Sequence, residues 1–145
     1  MKKRIFIIML FALLSDALVS KDISKIKLIY GWEGTYLPVS AYCTPESFYS
    51  TFGDGLNFLT TYDDIFIKSI SNLHEELLPM DNDSIKEIDP RIMIIIYYND
   101  SLPNDTIYLG EFNGIYRDGK VLKDNKDLLN IVKKKIGWNS EIEGK

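Results

Sequence analysis

The hydrophobic pattern is densest at residues 91–98, Arg-Ile-Met-Ile-Ile-Ile-Tyr-Tyr, which follow Asp89 and Pro90 and stop at Asn99 and Asp100. Seven consecutive apolar or aromatic residues, rich in isoleucine and closed at both ends by turn formers, predict an interior strand buried on both faces. Residues 24–31 alternate instead, with Ile26, Leu28 and Tyr30 on one side and Lys25 and Lys27 on the other. That is a half-buried first strand. Residues 56–62 read as a second strand. Behind Asp63 and Asp64, either of which can cap a helix, Phe66, Ile70, Leu73 and Leu77 recur at intervals of four, three and four and form one apolar stripe. Pro79 closes that helix.

After the central strand, residues 99–105 carry turn formers and predict an antiparallel connection to a strand at 106–112. Two turn signals follow, Asn113 with Gly114 and Asp118 with Gly119. The first is assigned a bulge or bend and the second a two-residue hairpin turn, with 120–122 returning, although the reverse assignment uses the same residues. The last element is a helix. Asp124 is placed at its cap with Asp127 three residues on, and Leu128, Leu129, Ile131, Val132 and Ile136 form its buried face. Lys133, Lys134 and Lys135 suit the negative end of the helix dipole, and Gly137 suits a left-handed stop.

Residues 81–89 read as an acidic surface loop, and periodicity fails between residues 32 and 55. Glycine and proline punctuate this stretch, Thr44 and Pro45 mark a short helix reaching about residue 51, and Trp32, Tyr36, Tyr42, Phe48, Tyr49 and Phe52 make it aromatic. Two amphipathic helices and about five strands joined by short turns predict an α+β fold, with both helices on one face of a mostly antiparallel sheet. The other face of the central strand, Met93, Ile95 and Tyr97, then needs a cover. The aromatic loop has the size for it, or a partner or a second copy of the protein supplies it, in which case Trp32, Tyr36 and Tyr97 are the anchoring residues.

The N-terminus changes the picture of where the protein works. Lys2, Lys3 and Arg4 precede ten apolar residues, 5–14, and Ser15-Asp16-Ala17 resembles a cleavage triplet. This predicts a signal peptide over residues 1–17, with Ser20 as the alternative cut, followed by one domain over 18–145, exported to the periplasm or the medium. Ten residues fall short of a membrane span, so none is expected after cleavage. Loss of Lys2, Lys3, Arg4 and Asp16 leaves 14 basic and 20 acidic side chains, a net charge of −6 against −4 for the whole chain. Nucleic acid is thereby disfavoured as a partner. Cys43 is the only cysteine, so it is either a small buried side chain or paired to another chain. The composition, heavy in Ile, Lys, Asn and Asp, resembles that of AT-rich bacterial genomes, and the Asn-x-Ser/Thr triplets at Asn82, Asn99 and Asn104 are read as chance.

Catalytic signals are sparse. His74, the only histidine, borders the apolar stripe and reads as a helix-edge side chain before it reads as a base or metal ligand. Asp81, Asp83, Glu87 and Asp89 lack the glycine and terminal glutamate of a calcium loop, and no nucleophile elbow or phosphate loop occurs. No metal or cofactor is expected. The reading that follows is a small acidic, non-catalytic domain that binds another protein, with an inhibitor or immunity-type role toward a basic partner suiting its charge. The alternatives are a small hydrolase using the acidic-loop carboxylates with His74, and a self-associating structural component.

Overall fold

The computed structural model describes residues 22–34, 43–80, 88–100 and 102–138. Residues 1–17, read above as a signal peptide, Tyr36 and the acidic positions 81–87 lie outside the described residues. Among those described, no helix is long and apolar enough to cross a membrane.

Six strands form one antiparallel sheet: β1 (Ile23–Tyr30), β2 (Asn57–Thr61), β3 (Pro90–Tyr98), β4 (Asp105–Gly110), β5 (Ile115–Arg117) and β6 (Lys120–Leu122), in spatial order β2-β1-β3-β4-β5-β6. Among the described residues three α-helices accompany it, α1 (Phe48–Phe52), α2 (Asp64–Glu75) and α3 (Lys126–Ile136). The α+β class and the antiparallel sheet agree with the sequence pattern, with one strand more than expected, and the short helix expected to reach about residue 51 runs over Phe48–Phe52. The additional strand arises because both turn signals reverse the chain. Asp118 (φ 51°) and Gly119 (φ 79°) make the mirror-image turn that matches strand twist between β5 and β6. Asn113 and Gly114 reverse the chain as well, with the Gly110 N–H donating to the Gly114 carbonyl at 3.0 Å, so they form a hairpin rather than a bulge. A side chain at Gly110 would strike the Asn113 carbonyl, which is why this tight reversal needs glycine there.

The pairing register gives the sheet two unlike faces. Ile26 lies opposite Ile96, Leu28 opposite Ile94, and Ile94 in turn opposite Ile107, all fully buried under α2 and α3. Phe66 and Ile70 from α2 and Leu128 and Val132 from α3 close this core. Burying each such side chain contributes about 1.5–3 kcal/mol, and this face is the main stabilising layer. Tyr98 and Trp138 complete its ends, the latter edge-on to Tyr30.

Local chemistry fixes both long helices. Asp63 caps α2 by accepting from the Ile65 and Phe66 N–H groups, and its other oxygen takes the Lys135 ammonium of α3 at 2.7 Å. These bonds, the lysine's first, hold the Asp63 carboxyl below the ordinary carboxylate range. The cap of α3 is Asn125, whose Oδ1 accepts from Leu128 N–H at 3.0 Å. Asp124, the residue expected there, instead accepts from Gly114 N–H at 2.7 Å and pins the β4–β5 turn. Gly137 is left-handed as expected, and the N–H of Trp138 returns to the Lys133 carbonyl.

Candidate functional site

The second face of the sheet is the surface on which the sequence reading placed binding. In register across it run Phe58, Ile29, Met93, Tyr108, Tyr116 and Val121, one from each strand. A parallel row holds Thr60, Lys27, Ile95 and Thr106, and beyond it Lys25 faces Tyr97. Helix α1 lies over the middle of the first row. Phe48 is fully buried there, edge-on to Tyr108 and Phe52, in a small core with Ile29, Cys43 and Met93. The Tyr49 hydroxyl reaches the Met93 sulfur at 3.7 Å. Arg91 anchors the arrangement, bonded to Asp89 at 2.7 Å with its guanidinium over the Phe52 ring. The aromatic stretch therefore supplies part of the cover for the second face, through a hydrophobic pin of one helical turn and a half.

Cys43 belongs to that pin. Its side chain is buried, and burial pushes the thiol up to about 11, so the nucleophilic thiolate is scarce at neutral pH. This fits a small packing residue better than one awaiting a partner chain.

Outside the pin, Lys25, Lys27, Ile95, Tyr97 and Phe58 form a strip of mixed character. The Lys25 ammonium stands 4.8 Å from the centre of the Tyr97 ring and that of Lys27 5.2 Å from the Phe58 ring. Cations seated on aromatic faces keep both groups ordered and amphipathic. Tyr97 is half-buried, while Phe58 is 59% and Trp32 64% exposed.

The expected anchors do not form one cluster. Lys25 pairs with Tyr97, and Trp32 lies seven residues farther along the same chain, so the two aromatics are roughly 20–25 Å apart at the usual rise per residue. Trp32 sits past the end of β1 with its indole nitrogen beside Gly55, and the loop that bears it is held by Glu111, which accepts from Gly34 N–H at 2.9 Å. Both aromatics fit within the span of one ordinary protein interface, as opposite ends of it.

A second constellation, not foreseen as a group, lies on the helix-covered face. His74 ends α2, Tyr98 ends β3, Asp105 begins β4 and Arg117 ends β5. The Tyr98 hydroxyl donates to Asp105 Oδ2 at 2.6 Å, and His74 Nε2 stands 3.2 Å from the same oxygen and 3.1 Å from Arg117 Nη1. One ring nitrogen serves only one of these neighbours at a time: protonated it donates to Asp105, unprotonated it accepts from Arg117. Burial first, then the Asp105 carboxylate, pushes the Tyr98 phenol well above its ordinary range. With His74 and Asp105 side chains only 14% and 21% exposed, the group works as a polar lock between the end of α2 and the sheet. Tyr98 and Asp105 flank one hairpin loop, which is the signal that could have paired them in advance.

Of the acidic-loop carboxylates assigned to the hydrolase alternative, only Asp89 is among the described residues. Asp89 precedes β3 at one end and Tyr98 ends it at the other, so Asp89 lies about 30 Å from the His74 cluster along the strand. Among the described residues no group of three or more histidine, cysteine or acidic side chains is arranged to hold a metal ion. The shallow groove between α2 and α3, lined by Ser69, Asn72, Leu73, Asp127, Asn130 and Ile131, contains none of the anchors and not His74. No family model matches the chain, and no curated protein or solved structure does either.

Proposed function

We propose that this chain is an exported protein-binding domain without catalysis, which docks a partner on the second face of its sheet. The observation that carries the reading is the incomplete cover of that face. Helix α1 closes its centre, while Phe58 and Trp32 stay exposed, and the Lys25–Tyr97 and Lys27–Phe58 pairs line the part of the face that runs away from Trp32. Rigid aromatics bearing cations are good interface anchors, because little side-chain freedom is lost on binding. Charge acts at two ranges. The net negative charge steers a basic partner during approach, as an inhibitor or immunity-type role requires, and the two lysines select for acceptor groups at the contact itself. His74, the only histidine, lies about 30 Å along the strand from Asp89, which favours binding over a hydrolase that pairs the two.

The test is capture on immobilised protein from lysate and culture medium of its own source, with mass spectrometry of what is retained. One stoichiometric partner is expected. Trp32→Ala and Tyr97→Ala should each weaken that complex by more than about 1 kcal/mol while leaving the unfolding midpoint in place. A partner held equally well by both variants would remove this face from the interface. An empty capture combined with turnover in a hydrolase substrate screen would overturn the non-catalytic reading.

A further inference from the structure

The two edges of the sheet are finished differently. Beside β6, the segment after α2 makes a bridge between Pro79 and Leu122, and Lys123 N–H donates to the Leu78 carbonyl at 2.9 Å. Strand β2 pairs with β1 and, among the described residues, has no strand on its other side. Every second residue of such a strand turns its N–H and C=O outward, where another strand can meet them. Open edges usually carry lysine, proline or a bulge that discourages this. Strand β2 reads Asn-Phe-Leu-Thr-Thr, with no charge, no proline and no shift in register against β1.

Apolar exposure gathers at the same edge. Eight large hydrophobic residues are exposed among those described, and three of them, Phe58 (59%), Tyr62 (67%) and Ile65 (80%), lie within eight positions of chain running through β2 into the first turn of α2. From this we infer that β2 is the docking edge for a second copy of the chain, two β2 strands pairing antiparallel about a two-fold axis perpendicular to the sheet.

Self-pairing is favoured over pairing with a foreign strand by the composition of the edge. An antiparallel two-fold that places Leu59 opposite its own copy sets Phe58 opposite Thr60 of the second copy on the same face. Aromatic and β-branched residues in that relation stabilise a sheet. Strand β2 itself carries no charge, and Asp54, Asp63 and Asp64, which flank it, repel their counterparts across the axis, so the pairing is weakened at low salt and strengthened by screening. The axis keeps faces continuous, so both lysine-aromatic strips lie on the same side of one twelve-stranded sheet, six strands from each copy. Five residues pair over only about 17 Å, short of a standard interface, so the dimer is concentration-dependent rather than obligate.

Sedimentation equilibrium of the purified protein, with hydrogen exchange read at several concentrations, tests this. The expected result is a mass rising toward twice the monomer, with amide exchange in Phe58 to Thr60 slowing by at least tenfold as it does so. Thr60→Lys, on an exposed position, should return the protein to a monomer with an unchanged unfolding midpoint, and Phe112→Lys, exposed but remote from β2, should remain dimeric. The wild-type exchange experiment needs no variant, so a poorly folding Thr60→Lys still leaves a decisive reading. A monomer at every concentration up to the millimolar range overturns the inference. So does a dimer in which β2 gains no protection, or a β2 that gains it only with a different protein.

Discussion

Phe48 is the residue on which the cover of the second face turns, and Phe48→Ala is the substitution that measures it. The side chain is fully buried, edge-on to Tyr108 and Phe52, and sits over Ile29 and Met93, which are themselves buried beneath it. Returning a buried phenylalanine to water costs about 2–3 kcal/mol of transfer free energy. A cavity term follows, and its size depends on how far the neighbours relax. Helix α1 is short, and Ser47, the residue before it, makes no side-chain bond to its N-terminus, so it is held to the sheet chiefly by its aromatics, Phe48 first, with Phe52 beneath the Arg91 guanidinium and the Tyr49 hydroxyl on Met93. Collapse of the helix into the vacated space would lower the cost, and its detachment would raise it by exposing Ile29 and Met93. Together these give about 3–5 kcal/mol, the usual range for phenylalanine to alanine in a core. Urea unfolding followed by far-ultraviolet circular dichroism and by tryptophan fluorescence is the appropriate assay. The midpoint should fall with the slope nearly constant, and a thermal midpoint should drop by roughly 10–15 °C for a domain of this size. A loss below about 1 kcal/mol would show that α1 rests on the sheet without stabilising it, and the division into a pinned centre and an exposed strip would have to be abandoned.

Two other outcomes follow from the titratable groups. Asp105→Asn keeps an oxygen for the Tyr98 hydroxyl but removes the charge, so the phenol should titrate at lower pH than in the wild type, and stability should fall by about 1.5–3 kcal/mol for a lost charge-assisted bond. Tyrosine ring-carbon NMR across an alkaline titration checks it, and an unmoved Tyr98 resonance would refute the lock. Cys43 should react with a disulfide reagent at neutral pH only as fast as the chain unfolds. Its folded-state thiol ionises near 11 whereas the unfolded thiol ionises near 8.5, so the unfolded state releases a proton first and stability declines between those values. The fall attributable to this thiol is about 3 kcal/mol at the alkaline end, and Cys43→Ala should lack it in paired urea titrations. Equal alkaline losses in both proteins would dismiss the thiol as the cause.

Elements with a strong local period were legible in the sequence. The stripe of Phe66 and Ile70, the unbroken isoleucines of β3 and the alternation of β1 lead directly to α2 and to the two central strands. What needed the fold was anything decided by contacts between distant segments. Asp124 and Asn125 are equally good caps by residue type, and the choice fell to Asn125 because the turn at Gly114, ten residues earlier in the chain, takes Asp124. The separation of Trp32 from Tyr97 follows from the register of β1 on β3, which no local pattern encodes. For the same reason the group of His74, Tyr98, Asp105 and Arg117 was out of reach as a whole: it joins the ends of four elements, of which only Tyr98 and Asp105 are near neighbours in the chain. The exposed edge was visible as a short uncharged strand, but its place at the border of the sheet was not.

The position of β1 has a consequence for the order in which the molecule assembles. It lies between β2 and β3, and its first residues are tied to the far end of β3, where Asn99 donates to the Asp22 side chain at 2.6 Å and its N–H to the Asp22 carbonyl. Strands β3 to β6 form a meander of neighbours in sequence, and α3 follows at once, so their contacts close short loops. The earliest of the described strands to be synthesised is therefore the one that waits. It can find β2 early, but its principal partner is made more than 60 residues later, and closing that loop is the slow, entropy-limited step by which two separately formed halves become one sheet. Until then the inner edges of both β1 and β3 stand open, and the interval between synthesis of Tyr30 and synthesis of Tyr98 is when this chain is most exposed to pairing with the wrong strand.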